Sequence, residues 1–148
     1  MNKCIHRFLG DYKSGDDWEG ALNHYNKAIE LDPNNADLYL NRGATKSALG
    51  DFRGAIKDYD KVIELNPNDV DAYYNRGNAK GNLSYHEGAI EDYNKSIELT
   101  PNDAEAYNNR GDAKSDLGNY KGAIKDYKKA IELNPNVVNA YNCQAPET

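Results

Sequence analysis

The chain is poor in the residues that build reactive centres. It has two cysteines, one methionine, one tryptophan and three histidines in 148 residues. Cys4 and Cys143 stand near opposite ends, with neither metal-ligand nor redox spacing, a usage that suits a reducing, cytoplasmic compartment. His6, His24 and His86 have no Cys or His neighbour at ligand spacing, so each reads as a structural histidine and no metal site is expected. No apolar run approaches the roughly 18 residues a membrane span requires, and mean hydropathy is −0.94. The first residues, Met1 to His6, lack the apolar core of a secretory signal. Positive charge is also short: the net charge of −6 argues against nucleic acid as a partner, because phosphate binding needs a basic footprint. The balance favours neutral or basic partners.

Motifs that carry chemistry are missing too. There is no phosphate-binding loop and no nucleophile elbow, so neither a cofactor nor catalysis is expected. The stretch Asp32 to Asp37 has acidic and amide residues but lacks the central glycine and distal glutamate of a calcium loop. Asn82-Leu83-Ser84 and Asn94-Lys95-Ser96 match the glycosylation tripeptide, which matters only in a secreted chain.

What the sequence does have is a period. Pro33, Pro67, Pro101 and Pro135 follow one another at intervals of 34 residues. Tyr39, Tyr73 and Tyr107 keep the same interval, as do the Arg-Gly pairs at 42, 76 and 110, then Ala55, Ala89 and Ala123, then Tyr59, Tyr93 and Tyr127. Such spacing marks stacked copies of one supersecondary unit. The period divides the chain into units 2–35, 36–69, 70–103 and 104–137, with a partial helix and tail at 138–148.

Each unit reads as two antiparallel helices of about 13 residues, too short to be stable singly. In the first unit Ile5, Phe8, Leu9 and Tyr12 recur with helical spacing, and a second helix runs from Trp18 to Leu31 with Asp17 as its N-cap. Unit 36–69 gives helices over 36–49 and 52–65, with Gly50-Asp51 at the turn and Asn66-Pro67 as the stop. Asn34, Asn68 and Asn102, each three residues before Asp37, Asp71 or Glu105, suggest capping boxes. Ser84 replaces the turn glycine, and Ser84-Tyr85-His86-Glu87 predicts a helix that starts one residue early. Small residues such as Gly43 and Ala55 fall where helices approach closely. The fold class is all-α, a superhelical solenoid of antiparallel helix pairs.

This pattern resembles the tetratricopeptide repeat family, across nearly the whole chain. The family's aromatic, small, Ala, aromatic, small, Pro signature reads Tyr39, Gly43, Ala55, Tyr59, Val62, Pro67 in one unit. It returns as Tyr73, Gly77, Ala89, Tyr93, Ser96, Pro101 and as Tyr107, Gly111, Ala123, Tyr127, Ala130, Pro135. The RNA-reading helical repeats of similar length fit neither the period nor the acidic charge. Lys46, Lys80 and Lys114 stand where the family usually has tyrosine, and Arg42, Arg76 and Arg110 where leucine is common. These are expected to snorkel, stems packed and heads in water. Asp58, Asp92 and Asp126 share the period, which predicts Arg–Asp contacts between helices.

The resemblance implies a right-handed superhelix whose first helices line a concave groove for partner peptides. The groove positions would be Asp37, Leu40, Asn41 and Ala44, then Asp71, Tyr74, Asn75 and Asn78, then Glu105, Asn108, Asn109 and Asp112. Asn41, Asn75 and Asn109 repeat at one position as an asparagine ladder, similar to that of protein O-GlcNAc transferases. A carboxamide can pair with peptide N–H and C=O groups whatever the peptide sequence. The acidic residues 37, 71 and 105 have two readings, attraction of basic peptides or support of helix starts through the macrodipole. Relatives that clamp the acidic tails of heat-shock chaperones need groove lysines and an arginine. Here Asp71 or Glu105 stands where lysine is needed, and Asn75 or Asn109 where arginine is needed. The function expected is a non-enzymatic interaction scaffold binding an extended peptide. The alternatives are a homo-oligomer built through uncapped solenoid ends, and the interaction region of a larger enzyme or adaptor.

Overall fold

The computed structural model describes residues 17–137, and within them every regular element is helical. The order is α1 (Trp18–Leu31), α2 (Ala36–Ala48), α3 (Phe52–Leu65), α4 (Val70–Asn82), α5 (His86–Leu99), α6 (Ala104–Asp116) and α7 (Tyr120–Leu133), closed by a 3-10 turn at Pro135–Val137. The helix expected around Ile5, Phe8, Leu9 and Tyr12 and the partial helix from Val138 lie outside the described residues.

Local chemistry sets most boundaries. Gly50 and Gly118 adopt φ of +85° and +82°, a left-handed conformation without penalty for glycine, which ends α2 and α6. The Asp51 and Asn119 side chains then accept the backbone N–H of Gly54 and Gly122 at 2.9 and 3.0 Å, starting α3 and α7. Ser84 takes the glycine role with φ of 63°, at a cost of roughly 1–2 kcal/mol for a residue with a Cβ. The early start expected there does not occur. Helix α5 begins at His86, matching Phe52 and Tyr120, and Tyr85 is an N-cap without a side-chain bond. A serine held in the left-handed region has left the extended backbone that a capping serine needs.

Two further expectations are corrected. The N-caps of α2, α4 and α6 are Asn35, Asp69 and Asp103, one residue after the asparagines of the anticipated capping boxes. Asp69 accepts from Ala72 N at 3.0 Å, and Asp103 accepts from Glu105 N and Ala106 N at 3.1 and 3.4 Å. Asp37, Asp71 and Glu105 therefore sit second in their helices, where they still meet the positive end of the macrodipole. Asp17 occupies the N-cap position of α1 but makes no side-chain cap bond.

Between helices the packing unit is a tyrosine on a glycine. A Cβ on Gly43, Gly77 or Gly111 would fall within 2.8 Å of the ring of Tyr59, Tyr93 or Tyr127 respectively. Bare backbone at these points lets the ring lie flat between the two helices of a pair. Ala55, Ala89 and Ala123 are fully or almost fully buried beside them. From pair to pair, α4 packs on α3 and α6 on α5, so the core is a run of small clusters along the array. Tyr39 and Tyr73 donate their hydroxyls to the carbonyls of Pro33 and Pro67, fixing the entry loops of α2 and α4. Helix α2 touches α4 and α4 touches α6, whereas the second helices of successive pairs lack comparable contact. The first helices thus follow one another directly along one side of the array, the side that the family resemblance makes the inner wall.

Candidate functional site

The strongest polar feature is a repeated ion cluster between helices. Each arginine grips an aspartate with two parallel bonds. Arg42 donates Nε and Nη2 to Asp58 at 3.0 and 2.7 Å, Arg76 to Asp92 at 2.9 and 2.7 Å, and Arg110 to Asp126 at 2.8 and 2.7 Å. These are the predicted Arg–Asp contacts. The lysines depart from expectation: rather than ending in water, Lys46, Lys80 and Lys114 place Nζ 3.1, 3.0 and 2.9 Å from the same aspartates. The carboxylate is only 4% exposed, and the lysine satisfies a remaining lone pair of the oxygen that also accepts the arginine Nε. The arginine also reaches backwards. Its Nη1 donates to Asn26, Asp60 or Asn94 of the preceding pair at 3.0, 2.8 and 2.9 Å. Its guanidinium carbon lies 5.3–5.7 Å from the ring of Tyr39, Tyr73 or Tyr107. One side chain thus ties three helices together, so the cluster is a fastener for the array.

The anticipated groove residues fall into three environments. Asp37, Asn41 and Asp71 are exposed. Leu40 is half-buried and packs against the Ala55–Tyr59–Ala79 cluster, and Ala44 is buried against Trp18. Of the others, Tyr74, Asn78, Glu105 and Asn109 converge between α4 and α6. Tyr74 donates to Glu105 Oε2 at 3.3 Å and accepts from Asn109 Nδ2 at 2.8 Å. Asn109 Nδ2 also donates to Asn78 Oδ1 at 3.1 Å, and that oxygen accepts the Tyr93 hydroxyl at 2.6 Å. Tyr127 donates to Asp112 Oδ1 at 2.6 Å. Asn75 and Asn108 are 5% and 2% exposed, and the Nδ2 of each lacks a hydrogen-bond partner. The three repeated asparagines therefore differ: Asn41 faces solvent, Asn75 is enclosed and unspent, and Asn109 is bonded into the network.

Sequence reasoning missed the tyrosines of the second helices as polar partners. Tyr59, Tyr93 and Tyr127 are core residues by period, yet their hydroxyls reach Ser47, Asn78 and Asp112. The signal was present as a polar residue 12 or 15 positions before each tyrosine. Burial pushes the Tyr59 and Tyr93 phenols well above their ordinary range, so both remain donors at any working pH.

Asp112 carries a carboxyl group whose pKa is raised by its position. Burial, with a smaller contribution from nearby Asp116, pushes its carboxyl up to about 6, against the lowering effect of the Tyr127 hydroxyl. An acid whose folded value exceeds its unfolded one stabilises the fold below the unfolded value. That stability fades as pH rises through about 6. Asp112→Asn keeps the acceptor, as Asn78 does for Tyr93. It is expected to raise stability at pH 7 by roughly 1–2 kcal/mol and to have little effect near pH 4. Urea unfolding of both proteins across that range checks this. Asp126 behaves oppositely: burial raises it, but Arg110 and Lys114 outweigh burial and hold it below the ordinary range.

Among the described residues no group of His, Cys, Asp and Glu could hold a metal ion, and no helix is long and apolar enough to cross a membrane. Comparison with known proteins agrees with this architecture. A TPR repeat model matches residues 11–50, 46–84 and 85–118, and a tetratricopeptide repeat model matches residues 104–137. No curated protein sequence matches the chain. Among solved structures, a crystal structure of MamA shares 31% identity, covering 86% of this chain and 74% of its own at a TM-score of 0.81. MamA from Desulfovibrio magneticus RS-1 shares the fold at 24% identity, with 81% and 68% coverage and a TM-score of 0.77. The first TPR of Spaghetti (RPAP3), bound to the HSP90 peptide SRMEEVD, is 32% identical over 69% of this chain and 81% of its own, at a TM-score of 0.68. With family models matching nearly its full length and helix pairs stacked at the matching period, the chain belongs to the tetratricopeptide repeat family.

Proposed function

We propose that this protein is an interaction scaffold that holds an extended, basic peptide segment of a partner protein against the inner wall of first helices. The observation that carries the reading is the chemistry of that wall. Asp37, Asn41 and Asp71 on the first helices are exposed, Asn78, Glu105 and Asp112 are partly exposed, and Asn75, Asn108 and Asn109 are buried behind them. Tetratricopeptide relatives support the general role, and one of them holds a peptide. That peptide is acidic, and acidic residues here replace the cations such a ligand requires, so the charge preference reverses.

Within the wall the roles divide by environment. Asn41 is open to meet peptide backbone directly. Asn75 holds an unpaired Nδ2, a state that costs about 1–3 kcal/mol when buried. Turning that amide toward a peptide carbonyl recovers the loss. Asn109 supports the wall through Tyr74 and Asn78 and is expected to act on stability instead of contact.

A peptide array graded in net charge tests the reading. Captured peptides should be predominantly basic, and capture should weaken as salt rises. Asn75→Ala should lower affinity roughly tenfold across different peptides, since an amide bond to backbone ignores side chains. Capture indifferent to charge, together with unchanged capture by Asn41→Ala and Asn75→Ala proteins, would discard the proposal.

A further inference from the structure

Two seams of the inner wall, α2 against α4 and α4 against α6, differ in what holds them shut. Between α4 and α6 the side chains are stitched. Asn109 Nδ2 donates to the Tyr74 hydroxyl at 2.8 Å and to Asn78 Oδ1 at 3.1 Å, and Tyr74 donates to Glu105 at 3.3 Å. Between α2 and α4 the counterparts of Tyr74, Asn78 and Asn109, 34 positions earlier, are Leu40, Ala44 and Asn75. The side chains of Leu40 and Ala44 carry neither donor nor acceptor, and Asn75 Nδ2 is buried without a partner. Closing this seam takes a polar group out of water with no bond in return, whereas closing the next satisfies its counterpart.

Behind the wall the two seams are alike. Phe52 and Ile56 of α3 pack with Ala79 of α4, as Ile90 and Ile97 of α5 pack with Ala106 and Ala113 of α6. Arg76 reaches back to Asp60 at 2.8 Å across the first seam, and Arg110 to Asn94 at 2.9 Å across the second. Each also has a contact near its turns: Arg53 lies 6.0 Å from the Tyr85 ring in the first, and His86 Nδ1 lies 3.7 Å from Asp116 Oδ2 in the second. The difference is therefore confined to the inner wall. The first seam is held at the back and lacks the Asn–Tyr stitching at the front.

We propose that the seam between α2 and α4 is a gate: it opens on the inner wall about its rear contacts and brings Asn75 Nδ2 within reach of a peptide carbonyl. The ligand rests on the peptide-holding role given above, while the gate stands without it. Leu40 is the residue that leaves this seam unstitched, and Tyr74 is the residue that keeps the next one shut. A carbonyl bonded to Asn75 supplies what the Tyr74 hydroxyl supplies to Asn109. The bound peptide thus favours the open form by that differential interaction.

The test follows, by NMR on the full chain without ligand, solvent exchange of the Asn75 and Asn109 side-chain amide protons. Both residues are buried, so exchange requires opening. The Asn75 protons are expected to exchange roughly tenfold to a hundredfold faster than those of Asn109. Leu40→Tyr adds the missing hydroxyl and should slow Asn75 towards the Asn109 rate. Tyr74→Phe removes a hydroxyl and keeps the ring, so it should speed Asn109 roughly tenfold and leave Asn75 as in the parent. Should Leu40→Tyr fail to fold, the parent and Tyr74→Phe decide alone. Equal parental rates, an Asn109 rate that Tyr74→Phe leaves unchanged, or an Asn75 rate no faster than global unfolding in urea would overturn the proposal. An alternating Lys-Ala peptide should then bind the parent, slow Asn75 exchange and bind Leu40→Tyr roughly tenfold more weakly. Equal binding to both would overturn the gate's part in capture. Fast Asn75 exchange with no peptide bound would uphold the gate and remove only the peptide-holding role.

Discussion

Replacing Asp92 with alanine is expected to cost about 3–5 kcal/mol, a large share of the roughly 5–15 kcal/mol that holds a domain of this size together. The Asp92 carboxylate is 4% exposed and accepts two bonds from Arg76 while Lys80 lies 3.0 Å away. Its loss strands two half-buried cations, leaving Arg76 only the exposed Asp60 on the preceding pair. The neighbour makes an internal control. Asp60→Asn should change stability by less than about 1 kcal/mol, because its partner position is solvent-accessible and the equivalent acceptors Asn26 and Asn94 are already amides. Urea unfolding followed by circular dichroism measures both. The Asp92 variant should also lose cooperativity, since stability in a stacked array passes through neighbouring contacts. Trp18, the single tryptophan, sits in α1 and reports the first part of the array alone. Its fluorescence should therefore part from the helical signal in the Asp92→Ala protein and follow it in the parent. Coincident transitions at parental stability would show that the cluster does not fasten the pairs.

Tyr93→Ala is expected to have an effect of the same order, about 3–5 kcal/mol, by emptying the space between α4 and α5. The ring is 4% exposed and rests on the backbone of Gly77. Tyr93→Phe should cost only about 0.5–1.5 kcal/mol, because Asn78 Oδ1 keeps the bond from Asn109 after the hydroxyl is gone. A paired substitution gives the sharper result. In the parent, Gly77→Ala places a Cβ 2.8 Å from the ring and should destabilise. In the Tyr93→Ala protein the same change meets open space. There it should stabilise by up to about 1 kcal/mol, the helix propensity that alanine adds over glycine. That reversal of sign, read by thermal or urea unfolding, separates packing from propensity. A Gly77→Ala effect of one sign in both backgrounds would refute the flat-ring contact.

Much of this protein could be read directly from its residues. The period, the antiparallel pairs, the turn at Gly50-Asp51 and the bounds of α1 and α3 follow from proline, glycine and aromatic spacing, because these are short-range effects of backbone geometry. The Arg–Asp contacts were legible for a related reason: two oppositely charged residues sharing one period must meet in every unit or in none. Cap positions were displaced by one residue, since two capping residues in succession (Asn34-Asn35, Asn68-Asp69 and Asn102-Asp103) compete for the same N–H groups and only the path of the incoming chain chooses between them. Ser84 shows the same limit, its left-handed backbone imposed by a turn that the rest of the array requires.

The polar wall was less legible. Asn41, Asn75 and Asn109 are equivalent by period, yet one is open, one is enclosed and one is bonded to Tyr74 and Asn78. Period fixes which helix face a side chain leaves from. What it meets depends on residues in the adjoining pairs, and those vary: the position of Asn78 is Ala44 in one pair and Asp112 in another. The sequence by itself determined the repeating unit, its helices and the pairing of its charges, because each depends on residues close in the chain or locked to one period. Only the tertiary structure decided the fate of each amide, because that depends on what the adjoining pair places against it.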